Sequence, residues 1–200
     1  MILYLSVVFL SMLGIMLFNI FCFAPTQTHY ELWIIIATIF STVVEILISG
    51  LLAFITERLP DKTFYPDKKI MQVSPKERKF YEKLKIRSWK DKVWELGALG
   101  GFRKNKIKDT NNPEYILKFI TESGKGMLGH ILSIIFSWLV IFVLPLGYAL
   151  RIGLPVAIVG IILNLLPVFI LRYNIPKLKV AYKRAIILQQ RANNKDNNNV

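Results

Sequence analysis

The stretch LWIIIATIFSTVVEILISGLLAFIT, residues 32–56, runs directly into Glu57 and the motif Arg58-Leu59-Pro60-Asp61-Lys62-Thr63-Phe64. Its 25 residues hold one charged side chain, Glu45. A helix of this length crosses the ~30 Å hydrocarbon core of a bilayer at ~1.5 Å per residue. Lipid offers no partner to backbone N–H and C=O groups, so helix is the form to expect. Three more runs behave alike. Met1 to Thr28 has no charged side chain, Met127 to Leu150 has none although His130 lies near its start, and Ile152 to Leu171 has none. The fourth run closes on Arg172-Tyr173-Asn174-Ile175-Pro176-Lys177-Leu178, a second basic motif containing proline. The expectation is an all-α integral membrane protein with four transmembrane helices in two hairpins. An up-and-down path through four spans brings both motifs to one membrane face.

The chain of 200 residues is 54% hydrophobic. Arranged in continuous blocks, that apolar content excludes an ordinary soluble domain. The first run lacks the basic start and short apolar stretch of a signal peptide, and is expected to be a retained span. Cys22 lies within it as a small packing residue with no partner for an intrachain disulfide. The net charge of +13 is unevenly placed. From Glu57 to Gly126 there are 18 Lys/Arg and 10 Asp/Glu, and seven more Lys/Arg follow from Arg172 to Lys195. The link between spans one and two has no Lys or Arg, and the link between three and four has only Arg151. The positive-inside rule then puts both termini and the central loop in the cytoplasm, in a multi-pass protein of the cell membrane. Because the charges flank spans, anionic lipid head groups are the expected partner, and nucleic acid is not.

Four regions follow: an N-terminal transmembrane hairpin (1–56), a basic cytoplasmic or interfacial segment (57–126), a second hairpin (127–171), and a basic amphipathic helix with a disordered Asn-rich tail (172–200). Ser74-Pro75-Lys76-Glu77 has the form of a helix start, with Ser as N-cap, Pro at N1 and Glu at N3. Phe80, Leu84, Val93 and Trp94 supply an apolar side to a charged stretch. That predicts an interfacial helix with Tyr81, Trp89 and Trp94 at head-group depth, broken at Gly97, Gly100 and Gly101. Asn112-Pro113-Glu114 starts another, with Tyr115, Ile116, Phe119 and Ile120 on one face, leading through Gly124 and Gly126 into span three. After Pro176, the recurrence of Leu178, Tyr182 and Ile186 predicts a basic surface helix.

Among side chains able to do chemistry, His130 stands first. It lies about one turn inside span three, where a neutral imidazole can accept a hydroxyl proton; the competing reading is an interfacial residue bonded to a carbonyl. Glu122 precedes it by eight residues, roughly 12 Å along a continuous helix. Asp61 is a second carboxylate carried to the same face by the hairpin. Glu45, in mid-span, must be protonated, paired or turned to a polar cavity; Asn164 in span four is expected to hydrogen-bond between helices. Arg58, Lys62, Arg172 and Lys177 form a candidate anion-binding rim, against the plainer role of setting topology. Trp89 with Lys90 and Lys92 can hold a sugar or head group by stacking, or anchor the loop. No Gly-rich phosphate loop, HExxH, Gly-x-Ser-x-Gly or paired-Cys pattern occurs, so no metal or cofactor is expected. The acyltransferase pattern of His, four residues and Asp is also absent at His130.

Four groups of residues occur in order: Arg58 to Phe64, then Arg87-Ser88-Trp89-Lys90-Asp91-Lys92, then Glu122 with His130, then Arg172 to Leu178. The set resembles the glycosyl-4,4'-diaponeurosporenoate acyltransferase family, small membrane proteins of staphyloxanthin-type carotenoid synthesis. The resemblance covers about Arg58 to Leu178. It sets Arg58, Asp61, Trp89, Lys90, Glu122, His130, Arg172, Asn174 and Pro176 at matching positions. What it implies is transfer of a fatty acyl group to a sugar hydroxyl on a membrane lipid. The chain departs from the family pattern in a longer N-terminal hairpin and in the Gly- and Lys-rich stretch Gly97 to Asn105. The acceptor therefore stays open between a glycosylated carotenoid and another glycolipid.

On this reading His130 deprotonates the sugar hydroxyl, and Glu122 or Asp61 orients it. Arg58, Lys62, Arg172 and Lys177 bind an acyl donor, a thioester or a lipid. Trp89 and Lys90 contact substrate, and Asn174 is a candidate oxyanion donor. The alternative is a non-enzymatic scaffold whose basic loop binds anionic lipid or a partner enzyme. A small transporter, favoured only by Glu45, lacks a second buried charge or broken helix.

Overall fold

The computed structural model describes residues 2–23, 30–90 and 109–197. Among these residues every regular element is helical and no strand occurs. The long elements are α1 (Ile2–Cys22) and α2 (Tyr30–Glu57). Two 3-10 turns follow, Asp61–Phe64 and Lys69–Met71, and then α3 (Pro75–Lys83), α4 (Ile86–Trp89) and α5 (Pro113–Phe136). Beyond them come a 3-10 stretch Ser137–Val143, α6 (Leu146–Tyr148), a π turn Ala149–Gly153 and α7 (Leu154–Asn197). Four segments are long and apolar enough to cross a membrane: Tyr4–Cys22, Tyr30–Glu57, Pro113–Val143 and Leu146–Asn194.

The chain divides into two compact units, Met1–Ile55 with Gly129–Pro167, and Thr56–Leu128 with Val168–Val200. The first collects most of the apolar runs. Its buried centre is Ile34, Val140, Ile152 and Val156, with Ile15, Met16 and Ile20 of α1 against it. Most other apolar side chains of α1 and α2 are exposed, Leu10, Phe18, Trp33 and Leu47 among them. That surface suits lipid, not water. Polar side chains on α2 solve their burial locally: the hydroxyls of Thr38, Ser41 and Thr42 donate to the carbonyls four residues back.

Span three differs from the expected continuous α-helix. It stops at Phe136, tightens into the 3-10 stretch, and becomes extended at Leu144 (φ −113°, ψ 151°). Pro145 is the cause: it has no N–H to give and pushes its predecessor out of the helical region.

In the second unit the predicted start at Ser74 is present. The Ser74 hydroxyl accepts from the Glu77 N–H at 3.1 Å, with Pro75 at the first helical position. The long interfacial helix is not. It ends at Lys83, because Lys85 takes a left-handed conformation (φ 50°) and α4 restarts in a new direction. The Trp89 indole donates to the Leu84 carbonyl at 3.0 Å across this turn. Val93, Trp94, Gly97, Gly100 and Gly101 lie outside the described residues, as does the stretch Gly97 to Asn105. The start at Asn112 is as expected: its side chain accepts from the Tyr115 N–H at 3.1 Å, and Ile116, Phe119 and Ile120 are buried. As expected, this helix leads through Gly124 and Gly126 and forms one element with the start of span three.

A second difference concerns the C-terminal region. The surface helix expected after Pro176 is the continuation of α7, unbroken from Leu154 to Asn197. Pro176 removes one backbone donor without ending the helix. Asn193 to Asn197, expected as disordered tail, are helical.

Candidate functional site

The richest polar arrangement in the second unit centres on Arg172, the residue directly after the last long apolar run. Its guanidinium makes four hydrogen bonds: Nε to Glu77 Oε1 at 2.6 Å, one terminal nitrogen to the Ile70 carbonyl at 2.7 Å, and the other to the Gln72 carbonyl at 2.8 Å and Glu77 Oε2 at 2.6 Å. The Tyr81 hydroxyl donates to Glu77 Oε1 at 2.7 Å. Burial works against the charged carboxyl of Glu77, but the hydrogen bonds from Arg172 and Tyr81 outweigh it and hold the group below its ordinary value. Burial, followed by the bond to Glu77, pushes the Tyr81 hydroxyl up to about 12. Tyr81 is thus a buried member of a clasp, where the sequence suggested a head-group anchor. It packs with Ile86 and Ile170, and its ring and that of Phe80 lie against Phe169. Four bonds to protein acceptors occupy most of the five N–H groups of this guanidinium.

The first basic motif docks in a different way. Phe64 is fully buried against Gly124 of α5, where an added Cβ would come within 2.6 Å of the Phe64 ring. Beside it Lys125 pairs with Asp61 at 2.7 Å and with Glu122 at 3.9 Å. The lysine side chain is 9% exposed while Asp61 is 57% exposed. A buried ammonium needs such partners, since removing them strands a charge away from water. Asp61 and Glu122, expected to serve His130, are here the carboxylates of Lys125. Lys125 itself was missed in the sequence; its signal was a lone cation between Gly124 and Gly126 at the mouth of an apolar run.

In the first unit His130 and Asn164 meet. His130 Nδ1 lies 2.9 Å from Asn164 Oδ1, and the Asn164 amide donates to the Gly160 carbonyl at 2.9 Å. That second bond assigns the amide orientation, so the oxygen faces the ring and Nδ1 carries the proton. Nε2 is then the basic nitrogen. Next along this seam, Glu45 takes a hydrogen bond from Ser137 at 2.6 Å and packs so closely on Gly160 that a Cβ there would collide with its carboxyl. The mid-span acid is therefore held in a buried polar contact, as its cost in lipid requires.

The remaining expected residues are more open. Arg58 and Lys62 are exposed, and Lys90 and Asn174 are half-buried. Lys177 sets its ammonium 3.9 Å from the Tyr173 ring centroid. Trp89 is half-buried with its N–H used; Lys92 lies outside the described residues. Among the described residues no group of three or more His, Cys, Asp or Glu has metal-site geometry.

The pattern of the glycosyl-4,4'-diaponeurosporenoate acyltransferase family matches residues 60–184, well over half the chain. The chain belongs to that family. It is accordingly an acyltransferase, which sets aside the scaffold reading, and the family's reaction calls for an acyl donor and a glycolipid acceptor. The match spans both basic motifs in large part, the Lys125 cluster, His130 and Asn164. No curated protein and no solved structure matches the chain.

Proposed function

We propose that the protein moves a fatty acyl group from a thioester to a sugar hydroxyl of a membrane glycolipid, a glycosylated carotenoid being the family's substrate class. The observation that carries the mechanism is the His130–Asn164 pair. With Nδ1–H donated to the amide oxygen, Nε2 takes the proton of the sugar hydroxyl as the oxygen attacks the acyl carbonyl carbon. The resulting imidazolium keeps its bond to Asn164, and it returns the proton to the departing thiolate when the tetrahedral intermediate collapses. Asn164 thus takes the orienting role first given to Glu122 or Asp61. Those two carboxylates, through Lys125, hold the first basic motif on α5. Arg58, Lys62, Lys90 and Lys177 are the candidate cations for the donor's phosphates. Arg172 contributes as a strut.

The charge distribution supports a multi-pass protein of the cell membrane with both termini and the 57–126 segment in the cytoplasm. The test is acyl transfer by purified protein in liposomes. A His130→Ala variant should lose roughly 100-fold or more in rate, the scale of a general base. Asn164→Ala should lose less, with an altered pH profile. Full activity in His130→Ala sinks the mechanism.

A further inference from the structure

The His130–Asn164 pair is one end of a longer run of polar groups, all within the first unit. His130 and Ser133 on α5, and Ser137 directly after it, are spaced by three and four residues and so share one face. Gly160 and Asn164 on α7 are four apart and also share a face. Glu45 of α2 reaches both faces. Its Oε1 lies 2.6 Å from the Ser137 hydroxyl oxygen, and its carboxyl rests on Gly160, where an added Cβ would come within 2.6 Å of the carboxyl carbon. The Gly160 carbonyl in turn accepts from the Asn164 amide. Glu45, Ser133, Ser137 and Asn164 are all buried. Glu45 lies outside residues 60–184, which carry the family pattern.

Ser137 decides the protonation of this acid. Its hydroxyl has one hydrogen and two oxygens in reach, Glu45 Oε1 at 2.6 Å and the Ser133 carbonyl at 2.8 Å. Given to Glu45, that hydrogen leaves the Ser133 contact as two oxygens facing each other. A protonated Glu45 donates to the Ser137 oxygen instead, Ser137 donates to Ser133, and both short contacts are hydrogen bonds. The second carboxyl oxygen agrees. Oε2 is buried without a hydrogen-bond partner among the described residues, which a neutral carbonyl oxygen bears far better than an ionised one.

We propose that Glu45 is a positioning residue for the acyl transfer: as a neutral acid wedged between Ser137 and Gly160, it fixes α5 against α7 so that the His130 ring meets Asn164. The inference rests on the reaction proposed for His130 and adds α2 to it. Along α5 the wedge lies seven residues from His130, ~10 Å, and along α7 four residues from Asn164, ~6 Å. A hydrogen bond of 2.9 Å tolerates little sliding of one helix on the other. Losing the wedge loosens the imidazole without removing a group that touches substrate, so the cost falls on kcat and not on KM.

The experiment uses the full-length protein in liposomes, with palmitoyl coenzyme A as donor and glycosyl-4,4'-diaponeurosporenoate as acceptor. In parallel, nitrogen NMR of histidine-labelled protein reads which ring nitrogen of His130 carries the proton; His29→Gln removes the one other histidine. Glu45→Gln, whose amide donates to Ser137 as the acid does, should keep the wild-type kcat and the Nδ1 proton. Glu45→Ala should lose about tenfold or more in kcat at unchanged KM, the scale of a misplaced catalytic group, and its His130 should spread the proton over both nitrogens. Ser137→Ala deletes one hydroxyl and leaves no large cavity; it should act in the same direction, and it carries the test where Glu45→Ala does not fold. An imidazole undisturbed in Glu45→Ala, or in Ser137→Ala in its place, overturns the inference whatever the rate. So does Glu45→Gln as impaired as Glu45→Ala, because an ionised carboxylate is then what the site needs. Wild-type protein that transfers no acyl group, with the Nδ1 proton still displaced in Glu45→Ala, would defeat the acyl-transfer reading while leaving the positioning of His130 standing.

Discussion

Arg172 shows how a residue's type can be legible while its use is not. A basic residue ending an apolar run reads from sequence as a snorkelling cation or an anion binder. Its partner Glu77 is 95 positions away, and no local pattern links them. Glu77 was recognised only as the third residue of a helix, which it also is. The clasp makes a sharp prediction about chemistry and not only charge. Lysine keeps the charge of Arg172 but presents one compact ammonium in place of a planar fork. Arg172→Lys should therefore destabilise the protein by about 2–3 kcal/mol, as buried bonds to a charged group are lost. Thermal unfolding in detergent measures it, and a wild-type midpoint would show the fork to be dispensable. The pH dependence follows from the same group. Glu77 has its folded value depressed, so its contribution is present above the ordinary carboxylate range and lost as pH falls through the folded value. Tyr81 has its value raised from 10.0 to about 12, so its contribution is complete below 10.0 and lost as pH climbs toward about 12. Glu77→Gln should flatten the acid side of the stability profile; an unchanged acid slope would remove Glu77 from the account.

Elements were readable where one physical constraint dominates. The four apolar runs had to be helices, because lipid satisfies no backbone group, and the caps at Ser74 and Asn112 follow from side chains that reach the next free N–H groups. Breaks inside elements were harder to read. Gly124 and Gly126 were read as lying within a helix, and α5 passes straight through them; what the sequence did not show is why Gly124 is a glycine. Gly124 serves packing: without a side chain, it lets Phe64 seat against the helix. Gly124→Ala should cost about 1–3 kcal/mol through overpacking. Phe64→Leu in the same chain should recover part of that loss. Additive effects in thermal unfolding would separate the two residues and contradict the docking. Lys85 is the converse case, a break at a residue that gives no sign of it. Its left-handed conformation ends α3 where the sequence continued a helix.

At the scale of the molecule, the membrane character and the helical class were legible from the four apolar blocks, which hold one charged side chain between them. The division into two units was not, since each gathers segments far apart in the chain. His130 was singled out early, but its partner was assigned to the carboxylates. Asp61 and Glu122 belong to Lys125, a lysine hidden by its position between two glycines, while a span-four asparagine holds the imidazole. The central claim is that this seam drives acyl transfer to a glycolipid. The most direct measurement is lipid mass spectrometry on membranes of a strain lacking the protein, restored with wild type or with His130→Ala. The account predicts a glycolipid that loses one acyl group in the deletion, regains it with wild type and fails to regain it with the variant. A lipid profile that is the same in all three membranes would contradict it.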